Sequence, residues 1–151
     1  MIKKLLIIHL FFLLNGCGYQ PIFINNDPIN IKFHKITLIG DIKINKRIID
    51  KIKIAEDNIS KGQNEFFLSS GYAVQETSKN SEGIIETYRS NLLADVKIII
   101  NGKVIKEKNI SKNFNYNKKA NKFELVKYQN SIKNILIDQV SQDIILFLKT
   151  Q

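Results

Sequence analysis

The sequence has few of the residues that carry covalent or metal chemistry. Only one of its 151 residues is cysteine and two are histidine. A single cysteine cannot form an internal disulfide, which excludes a disulfide-stapled scaffold. His9 and His34 stand far apart, and neither belongs to a group of histidine, cysteine and carboxylate residues at metal-ligand spacing. We therefore predict that the protein is not an enzyme and holds neither a metal ion nor another cofactor.

Proline and long apolar runs are scarce as well. Both prolines, Pro21 and Pro28, lie within residues 18–30, where no hydrophobic periodicity is visible, and this predicts an extended tether. The basic start of the chain is followed by an uncharged run of ten residues, 5–14. That length is too short to cross about 30 Å of hydrocarbon but is typical of a signal peptide.

The only cysteine occupies the position that lipidation requires. In the sequence Leu14-Asn15-Gly16-Cys17, an aliphatic residue, a small residue and then cysteine form the cleavage pattern of a lipoprotein signal peptide. We predict that residues 1–16 are removed, that Cys17 is acylated, and that residues 17–30 form the lipidated tether. An ordinary signal peptide with an incidental cysteine is the alternative. Gly18, instead of an aspartate, points away from retention at the inner membrane and toward the periplasmic face of the outer membrane.

The chain carries a large excess of positive charge. Lys and Arg number 23 against 14 Asp and Glu, and removal of Lys3 and Lys4 with the signal peptide leaves 21 − 14 = +7. Such an excess favours anionic partners, namely nucleic acid, anionic lipid headgroups or phosphorylated glycans. Export argues against nucleic acid. We therefore expect a lipid surface or a lipid-like ligand, besides the outer-membrane lipid that an acylated Cys17 would enter.

Hydrophobic periodicity predicts a single α+β domain over residues 31–151. Asn45 is the expected cap of the first helix, and Asn101-Gly102 predicts a tight hairpin turn because both residues accept a positive φ. The order β-α-β-β-β-α predicts a two-layer sandwich, in which both helices cover one face of a four-stranded, mostly antiparallel sheet. The six predicted elements are, in order, 31–39, 46–58, 67–77, 85–100, 104–116 and 121–149.

The same periodicity assigns side chains to faces. The last helix has an apolar stripe that includes Ile135, Val140 and Ile144, which we expect to pack against the sheet. The sheet face away from the helices is expected to be polar, because the long strand places Arg89, Asp95 and Lys97 there.

Two segments of the sequence resemble a known family. The run Gly16-Cys17-Gly18-Tyr19-Gln20-Pro21-Ile22-Phe23 resembles the mature start of the lipopolysaccharide-assembly lipoprotein LptE, in its alphaproteobacterial form. Phe114-Asn115-Tyr116, followed by Phe123-Glu124-Leu125-Val126-Lys127 and a long helix, is similar to the last strand and helix of that family. The resemblance implies a protein that plugs the outer-membrane β-barrel LptD, assists its assembly and binds lipopolysaccharide on its way to the cell surface.

The resemblance also suggests residues that contact this ligand. Lys127 and Lys79 match positions where the family carries basic groups, and Lys122 and Arg89 are further candidates for pairing with phosphate oxygens. The alternative is that these residues are the solvated surface of a lysine-rich chain.

Two other functions stay open on the sequence. One is a different outer-membrane lipoprotein, acting as a barrel-assembly accessory or as a periplasmic lipid carrier, which would need a closed apolar cavity. The other is a lipid-anchored enzyme, for which the sequence offers no catalytic residues.

Overall fold

The structure of the chain is a computed structural model that describes residues 31–57 and 63–150. The predicted signal peptide, Cys17 and the tether lie outside the described residues. Two helices and six strands follow one another in the order β1 (Lys32–Phe33), β2 (Lys35–Gly40), α1 (Ile42–Ile52), β3 (Ala55–Glu56), β4 (Asn64–Lys79), β5 (Ile85–Ile100), β6 (Lys103–Asn117) and α2 (Lys122–Lys149).

The main sheet has the strand order β2-β4-β5-β6, and only the pair β2–β4 is parallel. The predicted α+β class, with two helices and a four-stranded, mostly antiparallel sheet, is therefore confirmed. The predicted first strand is split in two at His34, whose backbone N–H donates to the backbone and side-chain oxygens of Asn64. The residues before this break form a separate two-stranded sheet, in which β1 pairs with β3 in parallel.

The long hairpin β5–β6 follows the local sequence closely. Strand β5 begins and ends at the predicted residues. Asn101 has φ 50° and Gly102 has φ 74°, the combination that a two-residue type I′ turn requires. The neighbouring strand β4 is longer than predicted, at 16 residues, and at about 3.3 Å per residue it extends over roughly 50 Å.

The first helix begins earlier than predicted, and its cap is Asp41 rather than Asn45. The Asp41 carboxylate accepts the backbone N–H of Ile44 at 3.1 Å. Asn45 lies inside the helix, fully buried, and its side-chain amide donates to the Ile39 carbonyl at 2.6 Å. The helix ends before Lys53, which adopts φ 55°, because a left-handed residue cannot continue an α-helix.

The second helix begins and ends as predicted, but one residue was assigned to the wrong side of it. Asn121 caps the helix through a 2.8 Å hydrogen bond from the backbone N–H of Glu124. Val140 and Ile144 are completely buried, whereas Ile135 is 43% exposed, so its predicted burial is wrong. Successive helix residues are about 100° apart, and Ile135 therefore points away from the sheet that its neighbour Leu136 contacts.

The hydrophobic core fills the space between the sheet and the two helices. Among the described residues, its buried members lie between Phe33 and Phe147. The largest completely buried side chains come from both layers: Phe66, Leu68, Leu92 and Val96 from the sheet, and Ile48, Ile52, Ile132, Leu136, Ile137, Val140 and Ile144 from the helices.

Candidate functional site

Three of the four predicted ligand-binding residues lie at one end of the sandwich. Antiparallel pairing brings the end of β4, the start of β5 and the end of β6 together, and α2 begins beside them. Lys79 ends β4, while Lys122 and Lys127 belong to the first turns of α2. The segment between β6 and α2 contributes two more lysines. We call this surface the basic end, and its members are Lys79, Lys118, Lys119, Lys122 and Lys127.

The lysines of the basic end differ in how far their charges are already satisfied. Lys79 forms an exposed ion pair with Glu76 at 3.5 Å, and the Lys119 ammonium lies 4.2 Å from the centre of the Tyr128 ring. Lys118, Lys122 and Lys127 are exposed and form no ion pair within the described ranges. These three lysines are therefore the ones best placed to bind an external anion.

Apolar side chains at the same end were missed by the sequence analysis. Phe123 is 78% exposed, Val126 47% and Ile84 46%. Phe123 and Val126 are neighbours of Lys122 and Lys127 on the helix surface, because residues three or four apart share one side. The available signal was that Phe123 does not belong to the buried stripe of α2. A shallow pocket of about 520 Å³ lies beside them, lined by Ile84, Ile85, Glu86, Thr87, Asn117 and Lys118.

The basic end is amphipathic rather than strongly charged. Four carboxylates lie at the same end, so its formal charge is 5 − 4 = +1; they are Glu76, Glu82, Glu86 and Glu124. Long-range attraction to an anion would be weak here, and binding would depend on direct contact with lysine ammonium groups and with the exposed Phe123 ring.

Arg89 is not part of this cluster. It lies in β5 on the sheet face away from the helices, where its Nε donates to the Asn115 side-chain oxygen at 2.7 Å. The same open face carries an Asn91–Gln75 hydrogen bond of 3.1 Å and the exposed Asp95. It is a mostly polar face that also carries exposed apolar side chains, since Leu93 is 55% exposed and Ile39 is 50% exposed.

Two lysines of β6 have structural roles. The Lys106 ammonium donates to the Phe147 carbonyl at 2.6 Å and also to the Thr150 carbonyl, so it satisfies the last carbonyl groups of α2. Lys112 forms a partly buried ion pair with Asp143 of the same helix at 2.8 Å. Both therefore hold α2 against the sheet.

The described residues offer little that could perform catalysis. His34 is exposed, and residues 31–57 and 63–150 contain no group of three or more His, Cys, Asp or Glu side chains that could hold a metal ion. Burial raises the pKa of Tyr72, although a 2.9 Å hydrogen bond to Ser90 acts in the opposite direction. The Ser90 hydroxyl in turn donates to the Tyr116 hydroxyl at 3.3 Å. The three hydroxyl groups therefore form a hydrogen-bonded chain within the core.

Comparison with known proteins supports the fold. No protein-family model matches the chain, and no curated protein matches it in sequence. Among solved structures, the rare lipoprotein B of Shewanella oneidensis has a TM-score of 0.53 and 12% identity, covering 74% of this chain and 90% of that one. The uncharacterized lipoprotein B of Nitrosomonas europaea has a TM-score of 0.57 and 7% identity, covering 83% of this chain and 88% of that one. Bacterial lipoproteins share this fold.

At such low identities the likeness concerns the fold and not individual residues. It does, however, extend over most of both chains, so the shared unit is the whole sandwich. A separate property of the described helices bears on attachment to a membrane: none of them is long and apolar enough to cross one.

Proposed function

We propose that this chain is an outer-membrane lipoprotein of the LptE type, which is acylated on Cys17, plugs the LptD barrel, assists its assembly and binds lipopolysaccharide. The proposal is carried by the combination of two independent features. The only cysteine of the sequence completes a lipoprotein cleavage pattern, and the domain that follows has a fold shared with bacterial lipoproteins.

The plug role is supported by the open sheet face. The lumen of an outer-membrane barrel is polar, and a domain inside it must present polar side chains outward. On this face the hydrogen-bonded pair Arg89–Asn115 and the ion pair Lys97–Glu107 at 3.8 Å follow one another along the strands. Arg89 would contribute to this interface rather than to the ligand site.

The ligand role is supported by the amphipathic basic end. Lipopolysaccharide combines phosphate groups with acyl chains, so a site for it needs both cations and apolar surface. Lys122 and Lys127 supply ammonium groups for phosphate oxygens, and Phe123 and Val126 supply exposed apolar area beside them. Lys79, already paired with Glu76, would contribute less.

The alternative of a lipid carrier receives less support. A carrier that encloses an acyl chain needs an empty apolar cavity, but the space between the sheet and the helices is filled by completely buried side chains. We also propose that the protein has no catalytic role and acts through binding alone.

The plug proposal is tested by isolating the tagged chain from outer membranes and identifying what comes with it. We expect one large β-barrel to co-purify in equal amount. Cys17→Ser should abolish acylation and delivery to the outer membrane, as seen from the mass of the N-terminus and from membrane fractionation. A chain that is acylated normally but co-purifies with no barrel would contradict the plug role.

The ligand proposal is tested by measuring lipopolysaccharide binding to the purified protein. A charge-assisted contact contributes roughly 1.5–3 kcal/mol, so Lys122→Glu and Lys127→Glu should each weaken binding by about tenfold or more. Phe123→Ser should weaken it without changing the charge. Lys103→Glu is the matched control, since Lys103 is exposed at the opposite end of the sheet. Equal losses from all the lysine variants would indicate general electrostatic attraction and no defined site.

A further inference from the structure

Positive charge is concentrated on the outer side of α1. The buried residues of this helix face the core, and four of its six exposed residues are basic. Lys51 is neutralised by Asp138 of α2 at 2.5 Å, and the Asp41 carboxylate is occupied in capping the helix. The remaining cations define what we call the α1 basic face: Lys43, Lys46, Arg47 and Lys53.

Asp41, which keeps its charge while it caps the helix, and Asp50 oppose these four cations, so the α1 basic face has a formal charge of 4 − 2 = +2. This exceeds the +1 of the basic end. None of the four cations forms an ion pair within residues 31–57 and 63–150. The face was not singled out from the sequence, because its extent depends on where α1 begins.

The placement of these charges is unfavourable for the helix itself. Lys43, Lys46 and Arg47 are three and four residues apart, a spacing at which like charges repel each other. They also lie in the first half of a helix that has no acidic residue in its first turn, where the helix dipole disfavours cations. Asp41 at the cap and Asp50, four residues after Lys46, offset only part of this repulsion, and local rules broken in this way commonly mark a surface that serves binding.

We propose that the α1 basic face docks onto anionic phospholipid headgroups of the membrane to which the protein is anchored. The inference rests on the lipid anchor of the proposed function. Its additional support is position, because α1 packs over the half of the sheet where β2 lies, and the described chain starts at Ile31 beside that half. The 13 residues from Gly18 to Asn30 can span at most about 45 Å, which lets this side of the domain reach the bilayer.

Charge and tethering together make the docking effective. Each Lys or Arg beside an anionic leaflet strengthens binding about fivefold, so two net charges give only weak binding to a free protein. An acylated chain is held near the surface, where a high effective concentration turns weak attraction into a preferred orientation. Before it enters the barrel, the protein would then lie with α1 on the membrane and the basic end directed away from its anchor.

The orientation can be measured with two matched cysteine variants of the full acylated chain. Asp50→Cys puts a thiol within the α1 basic face and Asp95→Cys puts one on the open sheet face; both remove one exposed aspartate. Each protein is reconstituted into vesicles of phosphatidylcholine, with or without phosphatidylglycerol, and the rate of reaction with a bulky maleimide is compared. With Cys17 acylated, the introduced thiol is the only one.

We expect phosphatidylglycerol to slow the reaction of the Asp50→Cys protein by roughly tenfold and to leave the Asp95→Cys protein unchanged. Raising the salt concentration, or adding Lys46→Gln and Arg47→Gln, should restore the fast rate because both weaken attraction between charges. Lys97→Gln with Lys103→Gln removes the same charge elsewhere and should restore nothing.

Equal rates in the two vesicle types would overturn the docking proposal. So would a slow rate that appears only when lipopolysaccharide replaces phosphatidylglycerol, since the α1 basic face would then be a ligand site. A failure of the anchor is recognised separately, because the mass of the N-terminus shows whether Cys17 carries lipid. In that case docking is judged by co-sedimentation with the same vesicles, where equal amounts bound to both would refute it.

Discussion

The corner between β2 and α1 provides a sharp test of the packing. Gly40 has φ +82°, and a Cβ added there would lie 2.1 Å from the Ser70 carbonyl oxygen. That oxygen cannot move away freely, because it accepts the Asp41 backbone N–H at 2.9 Å. A left-handed conformation costs a non-glycine residue about 1–2 kcal/mol, and relief of such a clash costs about 1–3 kcal/mol more. Gly40→Ala should therefore destabilise the domain by about 2–5 kcal/mol.

Two other glycines allow the cost of the left-handed conformation and the cost of the clash to be measured separately. Gly102 has φ +74° but open space around its Cβ position, whereas Gly71 has open space and no positive φ. Gly102→Ala should cost about 1–2 kcal/mol, and Gly71→Ala should be neutral or stabilising by up to about 1 kcal/mol. Urea unfolding followed by far-ultraviolet circular dichroism gives all three values. If Gly40→Ala costs no more than Gly102→Ala, the close approach to Ser70 is not rigid and the reasoning fails.

Three further predictions concern the core and the helix ends. Ile144→Ala should cost about 2–5 kcal/mol, whereas Ile135→Ala, at a 43% exposed position, should cost less than about 1 kcal/mol; similar losses in urea unfolding would mean that the phase of α2 is wrong. Lys106→Met should cost about 1.5–3 kcal/mol by leaving carbonyl groups of α2 without a donor, and hydrogen exchange should then show fraying confined to the end of that helix. The raised pKa of Tyr72 stabilises the folded state below about pH 10, and this contribution is lost as the pH rises through the folded-state pKa. Tyr72→Phe should therefore make the free energy of unfolding fall less steeply above pH 10, and an unchanged slope would contradict the assignment.

Elements governed by local sequence could be predicted, and those governed by distant contacts could not. The bounds of β5, the Asn101-Gly102 turn and the extent of α2 follow from alternation, turn chemistry and helical periodicity within a few residues. The start of α1 was missed because Asn45, like Asp41, is a residue that commonly caps a helix. What makes it helical is the Asp41 cap together with the hydrogen bond from the Asn45 amide to Ile39.

The candidate site was also predictable only in part. The resemblance singled out Lys127 and Lys79, with Lys122 as a further candidate, and all three lie at one end of the sandwich. The exposure of Phe123 could not be read reliably from an apolar residue at a helix start, because exposure depends on where the sheet ends. The separate position of Arg89 likewise follows from the pairing of β5 with β6. The pair β1–β3 joins two segments of two residues each, which is too little sequence to carry a periodic signal.

The length of the sheet allows the two proposed surfaces to act together. The basic end lies where β4 finishes, whereas Ile31 and the α1 basic face lie near the half where β4 begins. Because a 16-residue strand extends over roughly 50 Å, charges on the two surfaces are separated by several screening lengths of about 8 Å at physiological ionic strength. Changes on one surface should therefore leave binding at the other unaffected. Before it enters the barrel, an anchored domain of this length would contact the membrane through α1, while the basic end stays free to bind an amphipathic ligand far from that contact.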